Sequence, residues 1–153
     1  MPSRRQTITA GFASLALLGT APLATPALAA GARPTAVVEQ TLLKALPGKA
    51  DALGKFLAAN WLVMDQRALD QGLFTGFWLA RSPAGFEEWD YAMSVGYPTS
   101  LGFDDPAISA GFEAIRAAHV VALIDGEGLR QLGRIVSSQR LEMVAVRGFA
   151  AAV

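Results

Sequence analysis

The side chains that could carry acid–base chemistry are few in this sequence and lie far apart. His119 is its one histidine, and imidazole titrates near neutral pH, so His119 could serve as a general base or as a haem ligand. Glu39 interrupts an apolar segment, and a carboxylate that faces an apolar cavity has a raised pKa and can transfer protons. The phenol of Tyr91 could polarise a carbonyl group. Glu39, Tyr91 and His119 are therefore the candidate catalytic residues.

Each candidate also has a purely structural interpretation. A histidine such as His119 is stable at the C-terminal end of a helix, where the helix dipole favours a cation and a carbonyl can accept its proton. Glu39 and Glu142 are expected on outer strands of a sheet, where charged side chains prevent edge-to-edge aggregation. In that position Glu142 could pair with Arg140.

Aromatic residues offer a second kind of site. Trp78, Trp89 and Tyr97 are candidate pocket residues for a small apolar or aromatic ligand, because aromatic side chains line many small-molecule sites. The alternative is that they pack within the sheet and against a second copy of the chain. The sequence contains no cysteine, which excludes thiolate chemistry, disulfides and cysteine-held metal clusters. We expect no metal and no cofactor, with haem bound through His119 as the alternative.

The first 29 residues have the features of an export signal. Arg4 and Arg5 precede an uncharged stretch over residues 6–32, and an Ala-Leu-Ala sequence ends at Ala29, as signal peptidase requires. Residues 3–8, Ser-Arg-Arg-Gln-Thr-Ile, resemble the twin-arginine export motif, which implies transport of a folded protein to the periplasm. The alternative is the general secretory route.

The remaining chain is long enough for one domain. We expect a linker over residues 30–34 and a single domain over 35–150. Loss of residues 1–29 removes two of the 13 basic residues and none of the 13 acidic ones, which leaves a net charge of −2. This balance favours neither nucleic acid nor an anionic membrane as a partner.

Periodicity in the domain predicts two helices and four strands. One helix is predicted over residues 49–70, where apolar residues recur every three or four positions, and another begins at Asp105-Pro106, an N-cap residue followed by proline. Strands are predicted over residues 35–43, 73–80, 89–97 and 140–147. The third strand alternates most regularly, with an aromatic row from Trp89 to Tyr97.

The order β-α-β-β-α-β predicts an α+β, ferredoxin-like fold, in which a four-stranded antiparallel sheet carries both helices on one face. The joints between the elements resemble those of the dimeric α/β-barrel superfamily. The resemblance is carried by Pro47-Gly48-Lys49, by Asp70-Gln71-Gly72-Leu73 leading into Gly76-Phe77-Trp78, and by Asp90-Tyr91-Ala92-Met93-Ser94-Val95.

The resemblance implies a homodimer in which the helix-free faces of two sheets pair and line a cavity. We expect the aromatic row of the third strand, including Met93, on that face. The superfamily includes cofactor-free monooxygenases, haem-degrading monooxygenases, isomerases and stress-response proteins, so the resemblance does not select an activity. Haem-degrading members combine a histidine with an asparagine on the first strand and a tryptophan before the second helix, and here Phe103 stands near the tryptophan's place.

Three functional hypotheses remain open from the sequence. The first is an exported, stress-associated or small-molecule-binding protein without catalytic activity. The second is a cofactor-independent monooxygenase or isomerase acting on a small aromatic or polyketide-like substrate through Glu39, Tyr91 and His119. The third is a haem-binding protein that uses His119.

Overall fold

The computed structural model describes residues 33–83 and 86–144. The predicted signal peptide, with Arg4, Arg5 and Ala29, lies outside the described residues, as does the end of the predicted domain after residue 144. Within the described ranges, no helix is both long and apolar enough to cross a membrane.

The described chain has the predicted α+β, ferredoxin-like fold. Four antiparallel strands form one sheet in the order β2-β3-β1-β4, and the two long helices pack on the same face of it. In chain order, the elements are β1 (Val37–Ala45), α1 (Ala50–Asp70), β2 (Gly76–Arg81), β3 (Tyr91–Tyr97), a 3-10 turn (Gly102–Asp104), α2 (Pro106–Ala117), α3 (Leu129–Leu132) and β4 (Gly133–Glu142).

Local sequence signals correctly place the start and end of α1 and the start of α2. The apolar stripe of α1 buries Leu53 and Leu57 completely, and the helix ends just before Gly72, whose φ of +70° stops helical hydrogen bonding. At the start of α2, the Asp105 carboxylate accepts a hydrogen bond from the Ala107 N–H at 3.0 Å. The following proline fits the first helical turn because the lost N–H has no partner there.

The strand order corrects the expected position of Glu39. β1 pairs with both β3 and β4, so Glu39 lies on a central strand and not on an outer one. β4 is an edge strand, and Glu142 is its last residue. β4 also begins at Gly133, seven residues before the predicted start, because pairing with β1 continues through a bulge opposite Leu42 and Leu43.

The aromatic row of β3 faces the helices, which corrects the expectation that it lies on the helix-free face. Tyr91 and Met93 belong to a core cluster with Leu53 and Leu57 of α1. Tyr97 belongs to a second cluster, which includes residues of α2. The predicted alternation is present, but α1 and α2 cover the side that it makes apolar.

Candidate functional site

A cavity of about 430 Å³ lies between the helix-covered face of the sheet and the long helices. Its volume is within the usual range of small-molecule sites. Five of its lining residues are aromatic: Trp61, Phe74, Tyr97, Phe103 and Phe112. Aliphatic and thioether side chains complete most of the rest of the wall, so a flat apolar molecule would find complementary surfaces on several sides.

Asp65 introduces a carboxyl group into this apolar wall. It projects from the last third of α1, lines the cavity and is only 5% exposed. Burial raises its pKa from 3.8 to about 7, because the ionised form loses solvation. Among the described residues, the carboxyl has neither an ion-pair partner nor a hydrogen bond. Its protonation therefore changes near neutral pH, as is required of a general acid or base.

Tyr97 places a phenol in the same cavity. The side chain is 4% exposed, and burial, followed by the negative charges of Glu39 and Asp65, raises its pKa. The phenol thus stays protonated at neutral pH and can donate a hydrogen bond to a ligand.

Glu39 also lines the cavity, but other residues satisfy its charge. Its Oε1 accepts hydrogen bonds from Nη2 of Arg140 at 2.7 Å and from Nε of the same residue at 3.0 Å. The backbone N–H of Phe103 donates to the same oxygen at 3.2 Å. Glu39 therefore connects β1 with β4 and with the turn at Phe103, and it holds one wall of the cavity in place.

The 3-10 turn brings Phe103 over this part of the cavity. Arg140 also contacts Asp104 at 2.8 Å, so the turn is connected to β1 and to β4. Gly102 has a φ of +58°, and a Cβ atom at this position would overlap Oε1 of Glu39. Glycine is thus needed for both its backbone conformation and its small size.

A guanidinium group lies at the rim of the cavity. Arg116 of α2 is among the lining residues, and its Nη1 lies 2.7 Å from Oε1 of Glu113. The two side chains are 55% and 56% exposed, so solvent screens their interaction. Arg116 therefore places a cationic group at the rim of the cavity, where it already has Glu113 as a partner.

The structure does not bring the three candidate catalytic residues together. Of these, Glu39 lines the cavity, whereas Tyr91 and His119 do not. The hydroxyl of Tyr91 donates a hydrogen bond to the carbonyl oxygen of Ala50 at 3.0 Å, beneath the start of α1. Burial raises the pKa of Tyr91, and its observed contact is structural.

His119 is joined to a buried asparagine. Its Nε2 lies 3.0 Å from Oδ1 of Asn60, and the same oxygen accepts the N–H of Ala122 at 2.8 Å. Since this amide oxygen can only accept, Nε2 of His119 must carry the proton. A haem iron would have to displace this hydrogen bond to use Nε2, so the described arrangement does not fit haem ligation through that atom.

The candidate pocket residues are also divided between different surfaces. Tyr97 lines the cavity, whereas Trp78 and Trp89 do not. Trp78 is 50% exposed and lies opposite Ser94 in the sheet register, which places it on the helix-free face. The ring of Trp89 packs edge-on against Phe86 at a centroid distance of 5.3 Å.

Asp65 was not among the residues singled out from the sequence, although a signal was present. It follows Trp61 by four positions and precedes Ala68 by three, so it lies on the apolar stripe of the predicted helix. A carboxylate in that stripe is unusual, because charged residues are seldom fully buried without a partner.

Within the described residues, no group of three or more histidine, cysteine or acidic residues could hold a metal ion.

No protein-family model and no curated protein matches the chain. Several solved structures are similar to it at low identity. The haem-degrader MhuD from Mycobacterium tuberculosis, with two haems bound in its active site, has a TM-score of 0.49 and 20% identity, covering 73% of this chain and 99% of that chain. HapK from Hahella chejuensis has a TM-score of 0.46 and 14% identity, covering 76% of this chain and 99% of its own.

A dimeric ferredoxin-like protein from an uncultured marine organism is a further similar structure. Its TM-score is 0.43 and its identity 12%, with coverage of 79% of this chain and 96% of that chain. At these low values, the likenesses transfer no activity, ligand or assembly to this protein. By its own strand order and helix placement, the chain is a ferredoxin-like α+β protein. A cavity lined by aromatic side chains lies between its sheet and its two long helices.

Proposed function

We propose that this domain is an exported small-molecule-binding protein whose ligand occupies the cavity between the sheet and the two long helices. The observation that carries the proposal is the cavity itself, with a volume of about 430 Å³ and walls contributed by five aromatic side chains. A site of this size and composition buries most of the surface of a flat molecule, and burial of apolar surface drives binding.

The binding proposal can be tested by filling the cavity from its edge. Ile135 lines the cavity and is 50% exposed. A tryptophan at this position therefore has room towards solvent, and its ring reduces the volume open to a ligand. Val121 is similarly exposed, at 56%, and does not line the cavity. Calorimetric titration with 2-naphthylmethanol should show binding to wild type and to Val121→Trp, and much weaker binding to Ile135→Trp.

Equal binding by all three proteins would contradict the proposed location of the ligand. Native mass spectrometry of the protein isolated from its own cells gives an independent measurement, because a retained ligand adds its mass to the chain. A ligand lost from the Ile135→Trp variant and kept by the Val121→Trp variant supports the same site.

A second candidate function is cofactor-independent proton transfer, as in an isomerase or a monooxygenase that acts on an aromatic or polyketide-like substrate. It is favoured by the pKa of Asp65, which burial raises to about 7. In an isomerase, this carboxylate would remove a proton from a substrate carbon and return it at another position, while Tyr97 donates a hydrogen bond to the substrate carbonyl. In this hypothesis, Asp65 and Tyr97 take the roles that were predicted from the sequence for His119 and Tyr91, because Asp65 and Tyr97 line the same cavity.

Assembly as a homodimer through the helix-free face is also proposed. Trp78 on β2 and Leu141 on β4 are 50% and 40% exposed, and the sheet register places both on that face. They lie on the two opposite edge strands of the sheet, with the hydrogen-bonded side chains of Gln40 and Ser94 between them on the same face. Pairing with a second copy would remove Trp78 and Leu141 from water.

A further inference from the structure

We propose that the cavity selects a flat aromatic molecule bearing a positively charged nitrogen, which forms an ion pair with Asp65. This proposal rests on the binding function above and narrows the class of ligand. It arises from the position of the carboxyl group within the cavity, the charges that face it and the aromatic groups that surround it.

The charged and titratable groups around the cavity include one carboxyl group, that of Asp65, without a partner among the described residues. Besides Asp65 on α1, they are Glu39 on β1, Tyr97 on β3 and Arg116 on α2. Glu39 is paired with Arg140 of β4 at 2.7 Å, and Arg116 is exposed at the rim with its own partner, Glu113. The Asp65 carboxyl is the buried group in the described lining that has no partner of opposite charge.

A cation would supply the counter-charge that Asp65 lacks. Removing a carboxylate from water without a partner is unfavourable, and an ion pair with a hydrogen bond offsets that loss. The effect would also lower the pKa of Asp65 and keep it ionised in the complex. An anionic ligand would instead be repelled by the same carboxylate.

The aromatic wall favours the same class of ligand. The faces of Trp61, Phe74, Phe103 and Phe112 carry negative electrostatic potential, which attracts cations at short range. Phe74 and Phe112 lie 5.2 Å apart with their planes tilted by 32°, and Phe103 meets Phe112 edge to face at 5.9 Å. These rings line the same cavity as the carboxyl group of Asp65, so a ligand that occupies it is exposed to both.

The charge preference can be measured with three probes of one carbon skeleton. At pH 7.5, we expect calorimetry to show that 2-naphthylmethylamine, a cation, binds about tenfold more tightly than neutral 2-naphthylmethanol, and that 2-naphthoate binds most weakly. Asp65→Asn should reduce the affinity for the amine to that for the alcohol and leave the alcohol unchanged. Asp70→Asn, on the exposed end of the same helix, should preserve the tenfold preference.

Proton release provides a readout that needs no variant. At pH 6.5, amine binding should release a fraction of a proton from Asp65, detected as a difference in binding heat between buffers of different ionisation enthalpy. Alcohol binding should release none. This measurement keeps the proposal testable even if Asp65→Asn alters folding.

Two negative outcomes distinguish this proposal from the binding function on which it rests. Equal affinity for amine and alcohol, tighter binding of the naphthoate, or amine binding without proton release would overturn the preference for a cation and leave the cavity as a binding site. Failure of all three probes to bind would overturn both.

Discussion

Glu39 on β1 and Arg140 on β4 are joined by two hydrogen bonds to a single carboxylate oxygen, at 2.7 and 3.0 Å. The same oxygen accepts the N–H of Phe103, and Arg140 also binds Asp104. Two strands and the 3-10 turn thus meet at one ion pair beside the cavity. Because Oε1 of Glu39 is fixed in this position, a Cβ atom on Gly102 would overlap it.

Gly102→Ala should destabilise the protein more than a comparable glycine replacement elsewhere. Gly102 and Gly126 both have positive φ angles, +58° and +80°, so alanine at either should cost about 1 kcal/mol. At Gly102, the added Cβ must also displace Oε1 of Glu39 from Arg140, whereas it meets nothing at Gly126. Urea unfolding should therefore show a further loss of roughly 1–2 kcal/mol for Gly102→Ala.

A double-mutant cycle isolates the contact with Glu39. In a Glu39→Ala background, the additional loss from Gly102→Ala should disappear, because the displaced carboxylate is no longer present. An equal effect of the two glycine replacements, or the same loss with and without Glu39, would contradict this account.

Asp65→Asn should alter how stability depends on pH. The pKa of Asp65 is raised from 3.8 to about 7 by burial, so between these values the folded state retains a proton that the unfolded state has lost. Stability should therefore fall as pH rises from about 4 to 7 and then level off. The asparagine variant lacks this contribution and should be more stable than wild type at pH 8, by roughly 2–4 kcal/mol at most.

The measurement is urea unfolding at pH 5 and pH 8 for wild type, Asp65→Asn and Asp70→Asn. The exposed Asp70 should leave the pH dependence of the wild type unchanged. If the free energy of unfolding changes equally between pH 5 and pH 8 in wild type and in Asp65→Asn, burial does not raise the pKa of Asp65.

Hemin binding should not depend on His119. Nε2 of this histidine donates to the buried Asn60, and the side chain does not line the cavity. We expect His119→Ala and wild type to give the same absorbance titration with hemin. His119→Gln is a useful companion because its amide can still donate to Asn60. A stoichiometric Soret band that both variants abolish would establish His119 as a haem ligand.

Trp78→Arg should weaken association of the chain with itself. The charge would lie on the helix-free face, where pairing with a second copy would bury it without a partner. Analytical ultracentrifugation at micromolar concentration should show a dimer for wild type and mainly monomer for the variant. Val120→Arg, at a position 87% exposed on the loop after α2, should remain dimeric. A monomeric wild type would refute the proposed assembly.

Replacing Arg4 and Arg5 by lysine should trap the precursor in the cytoplasm, because the twin-arginine pathway distinguishes arginine from lysine. N-terminal sequencing of the exported wild-type protein should begin at Ala30. Arg33→Lys, beyond the expected cleavage site, should export normally. Normal export of the double variant would assign the chain to the general secretory route.

Local sequence signals were sufficient for the two long helices, for the first three strands and for the order of these elements. The apolar stripe of α1, Asp105-Pro106 at the start of α2 and the alternation along β3 each concern residues close in the chain, and each prediction is confirmed. Helical hydrogen bonds and caps depend on neighbours within a few residues, so such patterns can be recognised without knowledge of the fold. The start of β4 at Gly133 was missed because it depends on pairing with β1, some 90 residues earlier.

Only the tertiary structure decided which chemistry-bearing groups share a site. Period-two alternation separates the two faces of β3 but does not say which face the helices cover. The cavity lies on the face that they cover, so its location could not be predicted from the alternation. Asp65 on α1 and Tyr97 on β3 line the same space, although 32 positions separate them in the chain. The pKa of Asp65 likewise depends on burial by side chains from several elements, because desolvation is a property of the packed interior and not of the residues adjacent in sequence.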